Sequence, residues 1–260
     1  MAAVSSVSSR PIQSVPIKLV DPAQPRRIKL RLRGMSPLLL DPMSPEVTEA
    51  MITGKKLQIA KDRPLEQVCA EKLDILRRAN RNRQIVLPRK YLWGALLNAG
   101  EHVPYKGRMN ISTASSPGKS RKSRLPAFFR IEDRNFVLFD DDGGEPAWET
   151  DINVGNGATS KNGVCRPVFE CWNFDLTIQY DDGDVNEKTI KQLFSVAGKM
   201  IGLGCMRAGV GGENGQFMVE SWEDITPADW PRAKKAKAKL EPSDSGEPEN
   251  GNGEEKAENE

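Results

Sequence analysis

The chain has 260 residues, 38% of them apolar, a share low enough that part of the length reads as loop or tail. No run approaches the roughly 18 apolar residues of a membrane-spanning helix. The net charge of +2 conceals a segregation: eight carboxylates against Lys256 leave the last 20 residues at −7, so the first 240 carry +9.

The opening segment (MAAVSSVSSRPIQSVP) lacks a continuous apolar core, so residues 1–25 read as a disordered arm and not as a signal peptide. From Arg26, the residues Ile28, Leu30 and Leu32 alternate with Lys29, Arg31 and Arg33, which predicts a strand with one buried face and three cations on the other. A short helix is expected over 45–52, with Ser44 as its cap and Pro45 at its first position. A second helix over 65–79 places Leu65, Val68, Cys69, Leu73 and Leu76 on one stripe, and Arg77 and Arg78 suit the negative end of its dipole. Gln84–Leu87 reads as a strand, and Pro88 opens a helix over 89–99.

From Gly100 to Arg124 no periodicity survives, and a loop this long in a compact domain is usually functional or disordered. Ala127–Ile131 and Phe136–Phe139 look like a strand pair turning at Asp133-Arg134-Asn135, followed by an acidic, glycine-rich loop over 140–163. Val168–Tyr180 is read as one long strand, and 185–200 as a helix capped by Asn186. A glycine-rich run leads into a closing strand over 216–222, and 228–260 reads as a disordered charged tail. That tail is either a solubiliser or a nucleic-acid mimic competing for the basic body. The order strand, helix, strand, strand, helix, strand predicts an α+β, ferredoxin-like (RRM-type) antiparallel sheet with helices on one face and long insertions. The open face would suit a flat polymeric ligand.

The glycine run carries the main functional signal. Gly202, Gly204, Gly209, Gly211, Gly212 and Gly215 permit positive φ and close approach to a ligand, and Lys199 and Arg207 flank their amides, a composition that fits phosphate oxygens. No Lys-Ser/Thr pair follows, so this is no Walker loop, and a run between a helix and a strand reverses the Rossmann order. The helix–GxG–basic–glycine–strand order resembles the RAMP superfamily, the repeat-associated proteins of CRISPR effector complexes. Ile28–Leu40 (IKLRLRGMSPLLL) is similar to that family's first strand and its turn, and Leu87–Leu96 (LPRKYLWGAL) to its helix opening. Two departures are Leu97, where an Arg often stands, and the length of the glycine loop. A stand-alone or phage-encoded relative fits these departures as well as a true CRISPR subunit does. The resemblance covers 28–222 and implies a cytoplasmic RNA-binding protein of antiviral ribonucleoproteins, working as a homo-oligomer or within a multi-subunit assembly.

A second signal is the basic stretch 88–130, where Arg89, Lys90, Lys106, Arg108, Lys119, Arg121, Lys122, Arg124 and Arg130 face the single acid Glu101. Tyr91, Trp93 and Tyr105 flank it for base stacking. The candidate nucleic-acid-binding residues are therefore these loop cations together with Lys29, Arg31, Arg33, Lys199, Arg207 and the run from Gly202 to Gly215. His102 is the single histidine, which excludes histidine-pair metal sites and leaves one weak catalytic candidate, a proton shuttle in a metal-independent endoribonuclease. The clusters Asp140-Asp141-Asp142 and Asp181-Asp182-Asp184 suggest metal ligands, but the glycine beside each makes a turn the better account. No metal or other cofactor is implied, and a self-assembling structural protein without nucleic acid remains the alternative. Cys69, Cys165, Cys171 and Cys205 form no CxxC pair and are read as reduced thiols of an intracellular protein, Cys165 and Cys171 in its core.

Overall fold

The computed structural model describes residues 25–54, 64–107, 109–113, 122–156, 161–228 and 230, and the arm and tail expected at the termini lie almost wholly outside them. The protein is α+β. Its elements in chain order are β1 (Arg26–Gly34), β2 (Leu38–Leu39), α1 (Pro45–Thr53), α2 (Leu65–Arg78), β3 (Val86–Pro88) and α3 (Arg89–Ala99). Then come β4 (Pro104–Tyr105), β5 (Met109–Asn110), α4 (Leu125–Phe128), β6 (Phe129–Ile131), β7 (Asn135–Val137), β8 (Glu149–Asn156) and β9 (Lys161–Phe169). The last are β10 (Asn173–Tyr180), α5 (Glu187–Val196), a π-turn over Ala197–Ile201, a 3-10 turn over Ala208–Val210 and β11 (Phe217–Asp224).

The main sheet has the order β11-β1-β10-β6, and every neighbouring pair is antiparallel. The first of its strands thus sits between the last and the third. Alternation along β1 and β10 decides its two faces. Ile28, Leu30, Leu32, Phe174, Leu176, Ile178 and Tyr180 are all 2% exposed or less. They join Leu92 and Leu96 of α3 and Ile190, Leu193 and Phe194 of α5 in one apolar cluster. Each such side chain contributes about 1.5–3 kcal/mol on burial. Lys29, Arg31, Arg33, Asp175, Thr177 and Gln179 line the opposite, open face.

Local signals place the helices as read. Ser44 Oγ accepts from Val47 N at 3.2 Å to open α1, and Gly54 ends it at φ 68°. Asn186 Oδ1 accepts from Thr189 N at 2.8 Å to open α5. Beyond Val196 the helix widens into the π-turn, within which Gly198 lies so close to β11 that a Cβ there would sit 2.0 Å from Phe217 O.

Four readings are corrected. The segment 168–180 is two strands, since the chain bends at Trp172, whose Nε1 donates to Ser36 O at 2.8 Å. The acidic loop over 140–163 contains β8, which pairs with β9 as a hairpin from Glu149↔Val168 to Asn156↔Lys161. Ala127 and Phe128 close the helical turn α4 and are not strand residues. β6 and β7 do not pair with each other: β6 adds to β10 and β7 to β3, and Asp133 in the turn accepts from Thr177 N at 2.7 Å.

Cys69 of α2 and Cys165 of β9 form a disulfide with their Cα atoms 5.9 Å apart, while Cys171 is exposed and free. The expectation of unpaired cysteines is thereby corrected for Cys69 and Cys165, and the reading of Cys171 as a core residue is corrected by its exposure. Their 96-residue separation made the pairing invisible in sequence. Denatured protein should titrate two thiols, and reduction should cost about 2–4 kcal/mol in urea unfolding.

Tyr180 ends β10 with its hydroxyl buried and lacking a hydrogen-bond partner. Burial is the main reason its pKa is pushed up to about 12 from an ordinary value of 10.0. The folded state therefore holds this proton more tightly than the unfolded chain does. Stability is undiminished below the unfolded pKa and falls as pH rises from about 10 to about 12. Chemical unfolding across that window, with Tyr180→Phe abolishing most of the slope, checks this.

Candidate nucleic-acid interface

The late glycine run is packed inward. Gly202, Gly204 and Gly215 are buried. Gly202 N donates to Ala197 O, Gly215 N to Pro37 O, Gly212 N to Arg207 O and Gly211 N to Ala208 O, at 2.7–3.1 Å. Leu203 N pairs with Gly215 O, and Cys205 N with Leu39 O, so the run is sewn to itself and to the segment around β2. A Cβ would fall 2.2 Å from Leu39 O at Gly204, 1.9 Å from Met206 O at Gly212 and 1.9 Å from Leu203 O at Gly215. The expectation of bare amides cradling phosphate is corrected: the amides of Gly202, Gly211, Gly212 and Gly215 serve the protein's own carbonyls. What the run offers outward is its tip, Gly209–Gly211, and two cations. Lys199 projects exposed from the π-turn and makes no ion pair among the described residues. Arg207 is half-buried, its Nη1 donating to Gly204 O at 3.1 Å.

The run approaches the start of α3 through Cys205, which acts on Tyr91. Burial first, then the neighbouring Cys205 and Asp41, push the Tyr91 hydroxyl above its ordinary value. The Lys90 ammonium lies 5.6 Å from the Tyr91 ring centre. Arg89 ties the same helix end to β6 and its turn: its N donates to Arg134 O at 2.9 Å and its Nη1 to Ile131 O at 3.1 Å. Trp93 of α3 stacks on Phe129 of β6 at 6.3 Å, so α3 lies beside β6, the edge strand of the main sheet.

At the other end of α3 the basic loop supplies a second group. Tyr105 stacks on Phe128 at 5.3 Å with planes 8° apart. The guanidinium of Arg124 and the ammonium of Lys106 lie 5.9 and 5.2 Å from the Tyr105 ring centre. Lys106 also pairs with Asp184 at 2.8 Å. Lys122 is exposed, its backbone bridged to Thr113. Arg108, Lys119 and Arg121 lie outside the described residues. Arg130 faces outward from β6, and Arg134 is exposed in the turn that follows. Sequence reading took Arg134 as a turn residue only; nothing local to it signals that the Arg89 amide brings it against α3.

Lys90 at the start of α3, Lys122 and Arg124 just before α4, and Arg130 and Arg134 on β6 and its turn make up a band of exposed cations around α3 and β6 with no carboxylate partner among the described residues. The open face differs. Arg31 is held by Asp175 through contacts of 2.8 and 3.2 Å. Arg33 lies 3.1 Å from Asp141 and 3.7 Å from Glu220, and Lys29 stands opposite Glu223. Arg27 clasps Glu132, and its hydrogen bond is the main reason that carboxyl ionises below its ordinary range. Arg31 and Arg33, two of the three cations predicted for this face, are therefore largely neutralised, by Asp175 of β10, Glu220 of β11 and Asp141 of the loop after β7. The opposite sheet edge, β11, is acidic through Glu220, Glu223 and Asp224.

His102 lies exposed in the turn after α3, its amide donating to Ala99 O at 2.9 Å. Asp140 and Asp181 act as turn formers, accepting from the amides of Asp142 and Gly144 at 3.0 and 2.7 Å and of Gly183 at 2.9 Å. Among the described residues no group of three His, Cys, Asp or Glu side chains is placed to hold a metal ion, and no helix is long and apolar enough to cross a membrane.

Fold and charge together define an α+β protein with an antiparallel sheet, one open face and edges of opposite sign. No family model matches the chain, and no curated protein matches it. Among solved structures it is similar, at 14% identity and a TM-score of 0.37, to a chain in the cryo-EM structure of a Type III-B Cmr-beta bound to cognate target RNA. The match covers 78% of this chain and 61% of that one.

Proposed function

We propose that this protein grips the backbone of a single-stranded nucleic acid, RNA by its resemblance to the RAMP superfamily, along the β6 edge of its sheet. The observation that carries the reading is the unpaired basic band, Lys90, Lys122, Arg124, Arg130 and Arg134, with the Tyr105 ring beside it. Unpaired surface cations break no ion pair when they turn toward phosphates, whereas Arg31 and Arg33 must first leave their carboxylates. Lys199 and Arg207 extend the band past Tyr91, and Arg108, Lys119 and Arg121 belong to the same basic loop. Tyr105 gives a base a face on which to stack. The strand order, 4-1-3-2 in chain order of the four main strands, supports a ferredoxin-like, RRM-type sheet as the scaffold. In this reading the protein binds without cleaving and acts as one subunit of a repeated assembly.

The test is a titration of the full chain with labelled single-stranded RNA and DNA at several salt concentrations. Affinity should fall steeply with salt, the logarithmic slope losing about 0.7 for each phosphate contact removed. Salt-independent or absent binding would instead identify a structural protein. Cleavage abolished by His102→Ala with binding intact would identify a nuclease.

A further inference from the structure

We propose that residues 241–260 dock on the basic band around α3 and β6 and hold it until a nucleic acid displaces them, a contact that rests on reading the band as a phosphate-binding surface. The point where the chain leaves the sheet lies on one row with that band. Ile225 N donates to Arg27 O at 3.0 Å, Arg27 stands opposite Gln179, and Gln179 stands opposite Arg130 of β6. Three strand spacings, about 14 Å, therefore separate the end of β11 from Arg130. Along this row the side chains of Arg27 and Gln179 are both taken by Glu132. Arg130 is the first cation on it with no carboxylate partner among the described residues, and Arg134 follows in the turn beyond. The chain stays on the body as far as Trp230, which is half-buried and donates its amide to Pro227 O at 3.1 Å.

The order of charge in the sequence that follows mirrors the order across the sheet. Residues 231–240 carry Arg232, Lys234, Lys235, Lys237 and Lys239 and no acid, whereas residues 241–260 carry −7. The surface runs the other way, from the acidic β11 edge with Glu220, Glu223 and Asp224 to the unpaired Arg130 and Arg134. Ten residues can span up to about 33 Å, more than the distance to Arg130. The basic stretch can thus lie along β11 while the acidic one reaches β6. Its carboxylates offer the band the same charge as a phosphate chain. Attachment to the same chain keeps them at an effective concentration on the order of millimolar.

NMR spectra and RNA titrations of the isotope-labelled full chain test this against a full-length variant with Asp244→Asn and Glu→Gln at the seven glutamates of 241–260. Without RNA, the two forms should differ in their resonances at Arg124, Arg130 and Arg134. These differences should vanish at high salt and be independent of protein concentration. The variant should bind RNA about tenfold more tightly, the gain expected when the band of the parent is free about one-tenth of the time. Identical band resonances in the two forms would overturn the proposal even if RNA affinity rises, since long-range repulsion alone then accounts for the gain. Differences confined to 231–240 would also overturn it, by placing the acidic segment against its basic neighbour. Differences that grow with protein concentration would do the same, by assigning the contact to a second copy. Band differences with no RNA binding by either form would uphold the contact and overturn the phosphate reading instead.

Discussion

Changing Lys90, Arg124, Arg130 and Arg134 together to alanine is expected to weaken RNA binding by between about 100- and 1000-fold at 0.1 M salt. The figure follows from counterion release: each phosphate contact to a single strand contributes about 0.7 to the salt slope, and so about 0.7 of a decade at 0.1 M. All four side chains are exposed and none holds a carboxylate among the described residues, so the fold should survive. Arg89 is left out because its guanidinium donates to Ile131 O and its loss would disturb β6. Arg31→Ala and Arg33→Ala are the informative contrast. Each removes the same formal charge, but from an ion pair, and should change affinity by less than about threefold. A fluorescence-anisotropy titration of the fourfold and single variants reads both outcomes. If the fourfold variant binds like the parent at every ionic strength, the band is not the interface.

The largest loss of stability should come from Gly215→Ala. The residue has φ 69°, and its new methyl would lie 1.9 Å from Leu203 O and 2.7 Å from Leu203 N. Both neighbours are backbone, fixed by the Leu203–Gly215 and Gly215–Pro37 hydrogen bonds, so relief requires unstitching the run from β2. A loss of about 4 kcal/mol or more is expected in urea unfolding. Gly211→Ala is the matched control, with a comparable φ of 84° and open space around it. Its cost is the left-handed conformation alone, about 1–2 kcal/mol. Equal losses at the two positions would show that conformation and not close packing selects the glycines.

The two glycines also show where sequence reading stops. Six glycines in a short run announce close backbone approach, but not what approaches. Here the partner is the chain itself, from Pro37 and Leu39, more than 160 residues earlier. The alternation of β1 was legible because one face is wholly buried and the other wholly polar. Its acid partners were not, since Asp175 and Glu220 meet Arg31 and Arg33 only through pairing with β10 and the bulged β11. The β8–β9 hairpin was hidden by Gly155, Asn156, Asn162 and Gly163, loop-like residues at paired positions. The helices α1, α2, α3 and α5 were read from caps and apolar stripes that act within a few residues of one another. The basic band was half legible: its composition was plain in 88–130, but its alignment beside an edge strand depends on contacts such as Arg89 with Arg134.

The placement of β1 sets the order of events during synthesis. Its two neighbours, β10 and β11, begin at Asn173 and Phe217, so β1, which ends at Gly34, leaves the ribosome long before either strand that covers its sides has been made. In the meantime Ile28, Leu30 and Leu32 form an uncovered apolar ribbon with free amides on both margins, the configuration most prone to clumping between nascent chains. Ribosome-bound intermediates that end before Tyr180 should therefore engage holding chaperones, and release from them should follow emergence of β11.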